Sequence, residues 1–129
     1  MNAARWAQQN LLGRFPTSDL RVYAIWFNMY PGDARSKWPS ALLTDPRVLH
    51  YWDDQRISGT RYLDQLPALM DRRAPATLPP AADAMWDAFF VYAPGDRWKS
   101  PVPLPVTWGY PIMVTHEHLL RHVEMLLTK

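Results

Sequence analysis

The hydrophobic and polar positions of the chain divide it into short helical and extended segments. The most apolar segment runs from Leu20 to Phe27 (LRVYAIWF), is rich in β-branched and aromatic residues, and is followed by the turn sequence Pro31-Gly32-Asp33. A run of this length and composition is typical of a strand buried on both faces, in the middle of a helix-covered sheet. The pattern therefore predicts a central strand over residues 20–27.

A helix is predicted before this strand. Residues Ala3 to Leu12 (AARWAQQNLL) favour helix, and their apolar positions share one face. Gly13 stands where a helix C-cap would lie, and Pro16 ends any continuation. We expect the chain to begin inside this helix.

The segment after the Pro-Gly turn leaves one alternative open. Residues 36–43 predict a short helix with Pro39 in its first turn. Asp45-Pro46 is typical of an N-cap followed by the first helical position, which favours a helix over Arg47 to Asp54 (RVLHYWDD). The same letters also alternate as a strand, so residues 46–53 are helix or strand.

Proline shapes the next stretch of the chain. Residues 62–70 (YLDQLPALM) have helical spacing that Pro67 interrupts, and residues 74–82 (APATLPPAA) form a Pro/Ala-rich surface connection.

The last third predicts a hairpin followed by a helix. Trp86 to Tyr92 is a strand by composition and ends at the turn sequence APGD of residues 93–96. Residues 106–112 supply the second strand. Thr115 is expected to cap a final helix over residues 116–127, which carries a regular apolar stripe. The predicted order α-β-α-α-β-β-α indicates one α/β domain spanning residues 1–129.

Composition excludes several classes of function. With 48% hydrophobic and 20% charged residues among 129, the chain is that of a folded globular protein. Its formal charge is only +2 and its basic residues are scattered, which argues against nucleic acid as a partner. Cysteine is absent, so disulfides and thiol catalysis are excluded. No signal segment or apolar run of about 18 residues is present, and we expect a cytoplasmic protein without a membrane partner.

The loop after the central strand is the most interesting candidate for a ligand site. Tyr30, Asp33, Arg35 and Trp38 follow the carboxyl end of the predicted buried strand, where open α/β sheets bind ligands. An arginine and an aromatic ring could hold a small anion or a planar molecule. A Pro-Gly turn with a surface Asp-Arg pair and a packed tryptophan explains the same residues, and we favour that account.

Histidines and carboxylates give two further candidates. His118 and His122 lie four residues apart on the last predicted helix, a spacing that suits a pair of metal ligands. A solvated helix flank explains them better, and we expect no metal and no cofactor. Asp53, Asp54 and Asp87 could form a carboxylate cluster for acid–base chemistry, but we favour the simpler account in which Asp54 ends a helix and Asp87 is an outward strand residue.

Three strings in the chain resemble a group of bacterial thioredoxin-like proteins of mostly undefined role. They are VYAIWFNMYPGDAR, TDPRVLHYWDD and MWDAFFVYAPGDRW. The resemblance implies a thioredoxin-like fold that here lacks the first core strand, the Cys-x-x-Cys motif and the family's cis-proline before the hairpin. It therefore argues against the family's redox activity.

A missing central strand would leave one edge of the 20–27 strand without a partner, and such an edge is normally covered or paired. We therefore expect a homo-oligomer, most simply a dimer, or a partner protein that completes the sheet. The first functional hypothesis is a non-catalytic module that acts through self-association or protein binding. The alternative is a small-molecule-binding protein or a cysteine-independent enzyme with its site at residues 30–38.

Overall fold

The structure is a computed structural model, and it describes residues 2–27, 43–53, 55–79, 85, 87–97 and 103–128. Two compact units, residues 1–57 and 58–129, divide the chain. Helices and strands occur in both units, which confirms the mixed α/β class. Within the described ranges, no helix has the length and apolar character needed to cross a membrane.

The first unit begins with helix α1 (Asn2–Trp6), which continues as a π-helix over Ala7–Leu12. The predicted N-terminal helix is thus confirmed. The last backbone hydrogen bond of the π-helix is donated by the Gly13 amide to the Gln8 carbonyl at 3.1 Å. A Cβ atom on Gly13 would lie 2.6 Å from the Gln9 carbonyl oxygen, so lack of space is what requires glycine at this position.

Strands β1 (Val22–Phe27) and β2 (Val48–Asp53) form a two-stranded parallel sheet. The register places Val22 beside Val48 and Phe27 beside Asp53. The predicted strand at 20–27 is confirmed. For residues 46–53 the preference for helix is wrong and the strand alternative is correct.

The inner face of this sheet packs on the N-terminal helix. The buried cluster consists of Ala4, Leu12, Leu43 and Val48, with Ala7, Leu20, Val22, Ala24 and Trp26 packed against it. The outer face is open to solvent at two of its residues, since the side chains of Tyr23 and Tyr51 are 59% and 51% exposed. The prediction that residues 20–27 are buried on both faces is therefore wrong for the outer face.

Arg47 ties the link between the helix and β1 to the start of β2. Its guanidinium donates to the carbonyls of Leu12, Phe15 and Ser18 at 2.9, 2.6 and 3.3 Å. It also forms an ion pair with Asp45 at 2.8 Å. Hydrogen bonds from the Arg47 side chain and backbone lower the pKa of Asp45 to about 2. The carboxylate is therefore ionised at neutral pH and holds the guanidinium in place.

The second unit contains helices α2 (Ile57–Asp64, its first residue still in the first unit) and α3 (Leu66–Leu69), then a 3₁₀ turn (Met70–Arg72). The helix is interrupted as predicted, but at Gln65, and Pro67 itself lies in the first turn of α3. The following connection is not wholly at the surface, since Ala74 is fully buried. Its amide donates to the Trp108 carbonyl at 2.7 Å.

Strands β3 (Phe89–Val91) and β4 (Thr107–Gly109) pair antiparallel, as the predicted hairpin requires, but both are shorter than predicted. The turn at 93–96 is also confirmed, with Gly95 at φ 91° and the Asp96 amide bonded to the Ala93 carbonyl. Trp108 lies at the centre of this unit, 1% exposed, and its indole N–H donates to the Leu69 carbonyl at 2.7 Å.

The last helix, α4, spans Ile112–Leu127. Its predicted start at Thr115 is wrong, because Thr115 is buried inside the helix and its hydroxyl donates to the Pro111 carbonyl at 2.8 Å. Leu119 and Val123 are buried as the apolar stripe predicted. The peptide bond before Pro111 is cis and lies between β4 and α4.

Candidate functional site

The predicted ligand site lies outside the described residues. Tyr30, Asp33, Arg35 and Trp38 all fall between the described ranges 2–27 and 43–53. The strand that precedes them does end at Phe27, as the prediction required. The site itself stays a prediction.

The exposed aromatic side of the β1–β2 sheet is the most distinctive surface among the described residues. We call Tyr23, Ile25, Leu49 and Tyr51 the tyrosine face. Because side chains alternate along a strand, these residues all project from the side opposite the N-terminal helix. Tyr23 lies beside Leu49 and Ile25 beside Tyr51 in the register, and the two tyrosine rings stack with centroids 6.3 Å apart. Ile25 is half-buried and the other three residues are exposed, and contiguous exposed apolar residues often mark an interaction surface.

Strand β1 also has a backbone edge that its partner β2 does not use. The Val22 amide donates to the Arg47 carbonyl at 3.2 Å. This bond shows which residues of β1 direct their backbone groups toward β2. In a parallel pair, alternate residues point to the same neighbour, so Val22, Ala24 and Trp26 bond to β2. The amides and carbonyls of Tyr23 and Ile25 point away from it, and in the part of the chain that the structure describes β1 has β2 as its one strand partner.

The inner side of the sheet is held by a chain of polar contacts through His50. The indole N–H of Trp26 donates to Nδ1 of His50 at 3.0 Å. Because Nδ1 accepts this bond, the proton of the neutral ring lies on Nε2, which donates to the Leu43 carbonyl at 2.9 Å. The two rings also stack at 6.1 Å. These contacts hold the Trp26 and His50 side chains on the inner side of the sheet and do not involve its outer side.

The structure brings the predicted histidine pair together on α4. The rings of His118 and His122 lie 4.1 Å apart between centroids. The Thr107 hydroxyl donates to the Arg72 carbonyl at 2.8 Å, so its oxygen accepts from Nε2–H of His118 at 3.0 Å. Nδ1–H of His122 donates to the His118 carbonyl at 3.1 Å. One nitrogen of each ring is thus used in hydrogen bonding.

The surroundings of these histidines are electropositive. Burial lowers the pKa of His118 below its ordinary value of 6.5, and the charges of His122 and Arg121 lower it further. Neighbouring positive charge opposes a cation, and no group of three or more His, Asp or Glu among the described residues is placed to hold a metal ion. A metal held by this pair stays an untested alternative, with no third ligand placed beside it among the described residues.

The predicted carboxylate cluster is divided between the two units. Asp53 ends β2 in the first unit, Asp87 belongs to the second, and Asp54 lies outside the described residues. Asp87 adopts φ 51°, and burial raises the pKa of its carboxyl group, partly offset by a hydrogen bond from the Ile112 amide. Acid–base chemistry by this cluster stays a prediction.

One open concavity, of about 570 Å³, lies along the connection after the 3₁₀ turn. Its lining contains two charged residues, Asp71 and Arg73, and the Arg73 guanidinium donates to the Met70 carbonyl at 2.7 Å. We assign this concavity no reaction.

The sequence did not single out the tyrosine face. The signal was nevertheless present in the alternation of RVLHYWD, which places Leu49 and Tyr51 on one side of an extended chain and Val48 and His50 on the other. Reading the segment as a helix concealed that alternation. The N-terminal helix packs on one side of the sheet and leaves the other side open. A local sequence pattern does not predict which side the helix covers.

The thioredoxin-like resemblance rests on three strings, and each of them has a part that lies outside the described residues: residues 28–35 in the first, Asp54 in the second, and Trp86 and Trp98 in the third. The parallel pairing of β1 with β2 was not among its implications. The resemblance stays a prediction. Comparisons with models of known protein families, with curated proteins and with solved structures find no match to this chain.

Proposed function

We propose that the chain is a non-catalytic, thioredoxin-like module that acts by self-association through the outer edge of β1, or by binding the strand of a partner protein there. The observation that carries the proposal is the edge at Tyr23 and Ile25, with which no strand among the described residues pairs. An exposed strand edge is a template for another strand, because its backbone donors and acceptors are already aligned.

The side chains around this edge favour pairing over solvation. Natural edge strands are usually protected by charged residues, proline or a bulge. Strand β1 reads VYAIWF and contains none of these protective residues. Tyr23 is 59% exposed, so an added strand would cover apolar area next to each new backbone bond.

The size of the edge limits the strength of association. A single pair of six-residue strands buries less than the roughly 1,200 Å² of a standard stable interface. We therefore expect a weak, concentration-dependent dimer.

The test is solution mass by light scattering over a wide range of concentrations. The wild-type chain should rise from its 15.0 kDa monomer mass toward twice that value. Tyr23→Lys places a charge on the pairing edge and should weaken the dimer by at least about tenfold. Tyr51→Lys is the matched control, because Tyr51 has similar exposure and lies on the same face but on β2. It should associate as the wild type does.

Two results would overturn the proposal. A wild-type chain that stays monomeric at every concentration removes self-association. Equal loss from Tyr23→Lys and Tyr51→Lys assigns the association to the face and not to the edge. The hypothesis of a small-molecule or enzymatic site at residues 30–38 stays open beside it, with no contact among the described residues that favours it.

A further inference from the structure

We infer that the strand that pairs with β1 is β1 of a second copy, antiparallel to the first, with the two-fold axis beside Ala24. This inference rests on the proposed function and adds the identity, direction and register of the partner strand.

Symmetry sets the direction. A closed dimer in which both copies use the same edge needs a two-fold axis. When that axis is perpendicular to the sheet, the two β1 strands run antiparallel and the two tyrosine faces lie on one side. The N-terminal helices then cover the opposite side in both copies, and the inner cores remain as they are.

The backbone alternation limits the register. The outward groups belong to odd-numbered residues, so Tyr23 and Ile25 must form the hydrogen-bonded pairs. With the axis beside Ala24, Tyr23 of one copy lies opposite Ile25 of the other, and by symmetry the reverse. Ala24 then faces its own equivalent in a close, non-hydrogen-bonded pair of about 4.5 Å between Cα atoms. The small methyl groups fit that distance.

The charges select this register among the antiparallel ones. Arg21 is exposed and, by alternation, projects on the outer side of the sheet just before β1, while Asp53 projects on the same side at the far end of β2. Within one chain they are roughly 20 Å apart along the strands, at about 3.3 Å per residue. The Ala24 register places Arg21 opposite Phe27 of the second copy, and that copy's Asp53 lies one strand further, about 10 Å from Arg21 between Cα atoms, which the long arginine side chain can span. Two such oppositely charged pairs form, one at each end.

The cysteine-free sequence allows a direct test. Ala24→Cys introduces a single thiol at the axis, and a Cα separation of about 4.5 Å lies within the range of about 4.4–6.8 Å that a disulfide spans. Mild oxidation should convert most of this variant into a covalent dimer on a non-reducing gel. Val22→Cys is the control on the same strand and face, because the two equivalent positions would be roughly 13 Å apart. It should stay monomeric on the gel.

A second measurement keeps the inference testable if the cysteine at position 24 disturbs the inner core. Arg21→Asp and Asp53→Arg should each weaken the dimer by roughly fivefold, as expected for exposed ion pairs. The double exchange should restore the wild-type dissociation constant, which residues so far apart in one chain could not do for each other.

The outcomes separate the two proposals. Dimers by light scattering without a crosslink at position 24 and without rescue by the double exchange overturn this inference and leave the proposed edge association standing. A crosslink at Ile25→Cys in place of Ala24→Cys would assign a different antiparallel register and also overturn it. A wild-type chain that is monomeric throughout overturns both.

Discussion

Gly13 shows how a single position can be decided by space. Its φ of −67° suits any residue, so conformational freedom is not the reason for glycine. The reason is the Gln9 carbonyl oxygen, which lies 2.6 Å from the place where a Cβ atom would be. The sequence predicted a helix end at this glycine, and the structure gives the physical cause.

Gly13→Ala should therefore destabilise the protein. The added methyl group contacts backbone and not a flexible side chain, so the end of the π-helix must shift, and we expect a loss of about 1–3 kcal/mol in the free energy of unfolding. Urea denaturation monitored by circular dichroism measures it. Asn10→Ala, at an exposed position of the same helix, is the control and should change stability by no more than about 0.5 kcal/mol. Equal effects of the two substitutions would contradict the steric explanation.

At the scale of elements, β2 shows both the reach and the limit of local sequence signals. Asp45 does organise a turn, because its carboxylate accepts the Arg47 amide at 2.9 Å. The same contact is read from sequence as the start of a helix. The segment is a strand because its alternating residues pair with β1, and that pairing joins residues more than 20 positions apart. The terminal helix needed no such partner, and its periodicity alone predicted it.

The docking of α4 on β4 should depend on pH through His118. The pKa of His118 is lowered in the folded protein, first by burial and then by His122 and Arg121. Protonation is therefore less favourable in the folded state than in the unfolded state. The stability is complete above the ordinary pKa of 6.5 and decreases as the pH falls through 6.5 toward the folded value.

His118→Gln should remove this part of the pH dependence, since an amide can still donate to Thr107 but does not titrate. The measurement is the free energy of unfolding in urea at pH 7.5 and pH 5. Wild type should lose more stability than the variant between these two values. Met125→Gln, at an exposed position of the same helix, should retain the wild-type pH dependence, and a variant at 118 that retains it as well would contradict the assignment.

At the scale of the whole molecule, each of the two units has its own sheet and its own buried cluster. The sequence predicted a single domain, and that prediction stays untested. Composition and periodicity supplied the α/β class because they report burial averaged over a segment. They could not supply the pairing of β1 with β2 or the face left open, since both depend on contacts between distant residues.

Self-association through β1 should make the melting temperature depend on protein concentration. Only folded chains can dimerise, so the free energy of unfolding increases with protein concentration. We expect the wild-type Tm to rise by a few degrees over a hundredfold increase in concentration, measured by calorimetry. Tyr23→Lys should show a smaller rise of Tm over the same range of concentration. A constant Tm for the wild type would speak against association in this range.

The contacts of Arg47 have a consequence for the order in which the chain can fold during synthesis. The ribosome delivers the helix, the link and β1 well before it delivers Arg47 and β2. Until then, the carbonyls of Leu12, Phe15 and Ser18 lack the guanidinium that donates to them in the folded protein. Strand β1 likewise lacks the hydrogen bonds that it forms with β2. The sheet of the first unit and the contacts of Arg47 can therefore be completed only after residue 53 has left the exit tunnel.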